Sequence, residues 1–205
     1  MDPALVERDT TAAPADDVDR WVLLTGVTWQ QYEALLELFG DDQPGARMAY
    51  LEGTLEIMSP SRKHEHVKSI VGRLVEAYAL DRDISLNGLG STTFRKEAKE
   101  RGVEPDECYV LGDDWEAKEF PDIAFEVIIT RRGLDRLAIY EGLGVPEVWF
   151  WRRGGFEIYR LTDAGYERRD ASEFLPELDF ARLASFVEMR SHTKAVRAFL
   201  AELRT

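Results

Sequence analysis

Of 205 residues only Cys108 is a cysteine and only three are histidines. A single thiol can form neither an intramolecular disulfide nor a cysteine-based zinc site. That scarcity fits the reducing interior of a cell, so a cytoplasmic location is expected. No run approaches the ~20 apolar residues that a membrane span needs. The acidic opening MDPALVERDTTAAPADDVDR has neither the basic start nor the apolar centre of a secretory signal, and residues 1–20 are expected as a mobile acidic arm. No phosphate-cradling glycine loop or dinucleotide fingerprint occurs. Positive charge is also in deficit: 26 Lys and Arg stand against 39 Asp and Glu, a formal net charge of −13. Such a chain repels polyanions at long range, which argues against non-specific nucleic-acid binding but leaves room for a local basic groove. Three clusters could supply one: Arg62, Lys63, Lys68 and Arg73; Arg95, Lys96, Lys99 and Arg101; Arg131, Arg132 and Arg136. Each is equally readable as a solvated face.

What is present suits one well-buried domain over residues 21–205, with 44% hydrophobic and 32% charged residues. Thr28 and Gln31 before YEALLELFG form a capping box that opens a helix closed by Gly40. RMAYLEGTLEIMS alternates around Glu52 and Gly53 as a hairpin does. Val67, Ile70, Val71, Leu74, Val75 and Tyr78 recur at helical spacing and predict a helix over roughly 62–80. STTFRKE and DECYVLG have strand character, and PDIAFEVIIT reads as a strand buried on both faces. LDRLAIYEGLG returns to helix, PEVWFW and FEIYRL form a hairpin, and SHTKAVRAFLAELR is a capped terminal helix. The order predicts a mixed α/β domain. The aromatic run Trp149, Phe150 and Trp151 reads as core and partner-facing strand, and exposed edges around it make a homodimer reasonable.

Glu126 is the anomaly, a carboxylate inside an otherwise apolar strand. Asp122 points to the same side, but four residues at ~3.3 Å each put it roughly 13 Å away, too far to share an ion. Asp106 begins the preceding strand, and neighbouring strands lie ~4.8 Å apart, so a suitable register sets its carboxylate beside Glu126. Two such acids repel unless a cation lies between them, and Mg²⁺ suits an all-oxygen site with one or two protein carboxylates. Mn²⁺ is the alternative occupant. The alternative for Glu126 is a salt bridge to Arg136 or another buried cation. Glu52 is a candidate third acid, or simply a turn residue before Gly53. His64 is a candidate at the edge of the site, whereas His64 and His66 lie ~200° apart around a helix and do not chelate together. Cys108 shares a face with Asp106 and reads as core filling.

With those residues in view, the chain resembles the Uma-two family of restriction-type endonucleases, a branch of the PD-(D/E)XK nuclease superfamily. The resemblance covers about residues 28–162 and rests on LEGTLEIMSPSRKHEH, EPDECYV, PDIAFEVIIT and LDRLAIYEGLGVPEVWFW in that order. It implies a restriction-endonuclease-like core, helix-β-β-β-helix-β, here a mixed sheet flanked by helices with an N-terminal β-hairpin and a C-terminal helix added. It also implies divalent metal at Asp106 and Glu126, with Glu52 as the upstream acid. Ile128 stands where the superfamily signature carries a lysine. Members of this branch place a lysine four residues before the tyrosine; that position here is Arg136, before Tyr140, and Lys96 is a possible substitute cation. Arginine stabilises phosphate but is a poor proton shuttle. The implied activity is Mg²⁺- or Mn²⁺-dependent hydrolysis of DNA. Two alternatives are a catalytically silent nuclease-like module that binds nucleic acid or protein, and a phosphoesterase acting on other substrates.

Overall fold

The computed structural model describes residues 4–8, 18–40, 46–129 and 133–204. In chain order, β1 (Ala4–Arg8), β2 (Arg20–Thr25), α1 (Trp29–Phe39), β3 (Arg47–Leu51) and β4 (Thr54–Ser59) precede the long helix α2 (Arg62–Asp81). Then come β5 (Leu86–Gly88), β6 (Phe94–Lys96), β7 (Arg101–Val103), β8 (Glu107–Leu111) and β9 (Ile123–Ile128). The chain finishes with α3 (Arg136–Leu143), β10 (Glu147–Arg152), β11 (Gly155–Thr162), β12 (Gly165–Arg169), α4 (Phe180–Val187) and α5 (His192–Leu203). It divides into two compact units: Met1–His64 with Thr93–Glu104 and Ile129–Gly144, and Glu65–Thr92 with Pro105–Ile128 and Val145–Thr205.

In the first unit six strands form one sheet in the order β1-β2-β4-β3-β7-β6. Helix α1 starts where the sequence predicts: Thr28 and Gln31 cap each other's backbone N–H at 3.3 and 2.8 Å, satisfying two otherwise orphaned donors. Its buried face delivers Trp29 and Tyr32 onto Met48, Tyr50 and Leu55 of the hairpin. Tyr32 stacks on Tyr50 at 4.9 Å and 11°, with Trp29 edge-on to both. Gly102 makes this possible, since a Cβ there would lie 2.3 Å from the Tyr32 hydroxyl. The segment expected as a mobile arm contributes instead a strand, Ala4–Arg8, antiparallel to β2, and its residue Asp19 is buried. Residues 1–3 and 9–17 lie outside the described residues.

In the second unit the sheet runs β12-β11-β10-β9-β8-β5, with β9 and β10 parallel and the other pairs antiparallel. The mixed α/β class predicted from element order is the one observed. Of the three strands predicted between α2 and α3, DECYVLG and PDIAFEVIIT are β8 and β9 of this sheet, whereas STTFRKE holds β6 of the first unit's sheet and β5 stands beside β8 in its place. Ile123, Ala124, Phe125, Glu126 and Val127 are all buried, as a strand covered on both faces requires. The reading of PEVWFW as an exposed edge is corrected. β10 lies between β9 and β11, Trp149 is fully buried, and its ring meets Phe180 edge-on at 4.9 Å. The basis for inferring a homodimer from that segment is therefore removed.

Candidate active site

Strands β8 and β9 run antiparallel with Glu107 opposite Phe125, Cys108 opposite Ala124 and Tyr109 opposite Ile123. Asp106 is the bend residue just before β8, and continuing the register by one step brings its position level with Glu126. Directly opposed residues share a face of the sheet with Cα atoms about 5 Å apart. Both carboxylates are buried, Asp106 completely. The Val127 backbone N–H, next in the chain to Glu126, donates to Asp106 Oδ2 at 2.6 Å. That bond fixes the aspartate against β9 and aims it along the glutamate strand. Of the two aspartates, Asp106 is the one tied to the backbone next to Glu126. Asp122 has other work: its Oδ2 accepts from the Leu111 N–H at 2.7 Å and from Lys118 Nζ at 2.5 Å, closing the connection between β8 and β9.

Cys108, one pair further along the same face, reports the local field. Burial first, then the negative charges of Glu107 and Glu126, push its thiol up to about 12. Its Sγ donates to the Gly90 carbonyl at 3.2 Å. The thiol should therefore stay unmodified by a maleimide or aromatic disulfide reagent at pH 8 and react fully once urea unfolds the chain. Because the folded thiol ionises above the unfolded value of about 8.5, its contribution to stability is full below that pH and is lost as pH rises toward 12. Fast native-state labelling would show that this face opens to solvent.

Other expected site residues lie in the first unit. Glu52 occupies the bend between β3 and β4 with φ +45°, and its exposed carboxylate accepts from Arg101 Nη2 at 2.8 Å. Among the described residues no three His, Cys, Asp or Glu side chains gather as a metal cluster. Lys96 ends β6, half-buried, opposite Arg101. His64 is fully buried near the start of α2, where its Nδ1 lies 3.1 Å from Asp19 Oδ2; Asp19 Oδ1 accepts from the Ser61 N–H at 2.8 Å. Burial alone would raise the Asp19 pKa, but His64 and that N–H outweigh it and hold the carboxyl below its ordinary value. His64 thus anchors the helix start to the strand entry at Asp19.

The residue that sequence reasoning missed is Glu56. It is buried in β4, where its Oε1 meets Arg136 Nη2 at 2.5 Å and its Oε2 accepts from the Leu134 N–H at 2.8 Å. Gly133, at φ +148°, admits the carboxylate, because a Cβ there would lie 2.5 Å from Oε2. Arg136 opens α3, where the helix dipole disfavours a cation, and Glu56 supplies the compensating charge. The available signal was an acid flanked by Leu55 and Ile57 in a strand paired on both sides. Arg131 and Arg132, also expected in a basic cluster, lie outside the described residues.

Fold and paired acids together define a restriction-endonuclease-like α/β protein. The Uma2 family model, described as "Putative restriction endonuclease", matches residues 29–190, and the chain belongs to that family. It matches no curated protein.

Proposed function

We propose that the chain is an endonuclease that hydrolyses DNA phosphodiester bonds with a divalent cation, Mg²⁺ or Mn²⁺, held by Asp106 and Glu126. Family membership supports nuclease chemistry and nucleic acid as the partner. The observation that carries the metal assignment is the burial of two carboxylates, Glu126 in β9 and Asp106 just before the neighbouring β8, with Asp106 pinned by the Val127 N–H. The donor set fits: both groups are hard anionic oxygens, and Mg²⁺ commonly takes one or two carboxylates and completes its octahedron with water and substrate phosphate. When bound, such an ion polarises the phosphodiester and lowers the pKa of an attacking water.

The residues have separable tasks. Asp106 keeps one oxygen on the backbone N–H, which fixes its direction before substrate arrives. Glu126, in a strand paired on both sides, supplies the second anionic ligand from a rigid support. Burial strengthens both charges' attraction for a cation. The net charge of −13 makes DNA affinity weak and steeply salt-dependent. The test is nicking and linearisation of supercoiled plasmid by the purified chain with MgCl₂ or MnCl₂, against EDTA. Cleavage in EDTA, or none with either ion, counts against this reading. Ile128, together with Arg136 already neutralised by Glu56, favours a second reading, a silent module that binds DNA without cutting it. Retarded migration of DNA without product would select that module.

A further inference from the structure

His66 of α2 and His192, the first residue of α5, meet in the second unit far from each other in sequence, with His66 Nδ1 3.1 Å from His192 Nε2. Their ring centroids are 4.3 Å apart with the planes inclined at 47°, so the rings are tilted past one another rather than set end to end. Two imidazole ligands of one tetrahedral ion, each bound at 2.0–2.1 Å, have their nitrogens about 3.3 Å apart. The observed separation is close to that value. His66 is exposed and His192 half-buried, so an ion can reach both.

Each ring is available as a ligand. His192 stands at the N-terminus of a 12-residue helix, where the dipole disfavours an imidazolium and favours the neutral ring with a free lone pair. Burial first, then the neighbouring His66 and the Arg73 cation two turns along α2, hold the His192 pKa below its ordinary value. At the far end of the same two helices, Arg204 Nε donates to Asp81 Oδ1 at 3.1 Å and Arg82 Nη2 to the Leu203 carbonyl at 3.3 Å. Helices α2 and α5 are thus clasped at both ends, by charge at one and by the histidine pair at the other.

We propose that His66 and His192 form a metal clasp that takes one borderline transition-metal ion, with Zn²⁺ the test case, and ties α5 to α2. Imidazole nitrogen selects zinc, nickel or copper over magnesium, so this site is chemically distinct from the carboxylate pair. Two protein nitrogens hold the ion and water completes its shell.

The experiment titrates ZnCl₂ into the full-length chain at pH 7.5 by calorimetry, with thermal melts in parallel. Both the wild-type chain and Glu126→Gln are used, so that zinc taken by the carboxylate pair is recognised. The expected result in Glu126→Gln is one ion per chain at micromolar affinity and a raised melting temperature. Adding His66→Asn or His192→Asn should weaken binding by about tenfold or more and abolish the rise, while melts in EDTA confirm that each variant folds. Zinc binding left intact by either substitution overturns the proposal. So does an affinity weaker than millimolar in the unsubstituted clasp.

Discussion

Glu126→Gln is expected to lower Mg²⁺-dependent plasmid cleavage on the order of a thousandfold, about 4 kcal/mol of barrier. The amide keeps the shape of the side chain but removes one of the two anionic ligands and the charge that desolvation makes effective. Stability should move the other way or not at all. If a metal ion is what holds the two carboxylates together, they repel in its absence, and a neutral amide in one position relieves that repulsion. In EDTA the variant should therefore melt at or above the wild-type temperature. In MgCl₂ the wild-type chain gains RT ln(1 + [Mg²⁺]/Kd), about 2.7 kcal/mol at a hundredfold excess over Kd, and the variant does not. This combination separates a metal site from an ion pair. If Glu126 were instead committed to a buried cation, Glu126→Gln would strand that charge and cost about 3–5 kcal/mol in EDTA. Equal cleavage by wild type and variant would remove Glu126 from the site.

The proposed pairing of those acids rests on strand periodicity and spacing alone. Alternation ruled out Asp122, and the ~4.8 Å gap between neighbouring strands left Asp106. The helices with strong signals, α1 with its capping box and α2 with its apolar stripe, start and stop within a residue or so of expectation. What escaped notice has physical causes. β5 and β7 are three residues each, too short for periodicity, and β7 centres on Gly102, chosen for its close approach to Tyr32 rather than for strand propensity. β12, GYERR, is a largely exposed edge with little apolar content to reveal it. α4 is only two turns long, and although Asp179 caps it by accepting from the Arg182 N–H at 2.9 Å, its burial is set by packing on β11 and α5, which is not local information. PEVWFW was misplaced at an edge because strand order is not local information: its parallel partner β9 lies across a helical crossover. The Glu56–Arg136 pair, 80 residues apart, was invisible for the same reason.

That pair carries the second large effect. Arg136→Ala is expected to destabilise the chain by about 3–5 kcal/mol, because it leaves the Glu56 carboxylate buried without the guanidinium, and the Leu134 N–H does not replace that charge. The side chains are 10% and 4% exposed, so solvent offers little screening and the pair does not behave like a surface salt bridge. Arg136→Lys should recover part of the loss, since an ammonium supplies charge but not the planar fork. Replacing both residues by leucine should cost less than Arg136→Ala alone, since no unpaired charge remains buried. Urea denaturation of Arg136→Leu, Glu56→Leu and the double variant gives the coupling energy directly. The same series decides what Arg136 is for. An arginine whose main task is to contact phosphate would lose cleavage when changed to alanine and leave the urea midpoint where it was. An arginine that holds α3 onto β4 through Glu56 shifts the midpoint, and loses activity only in proportion to the unfolded fraction.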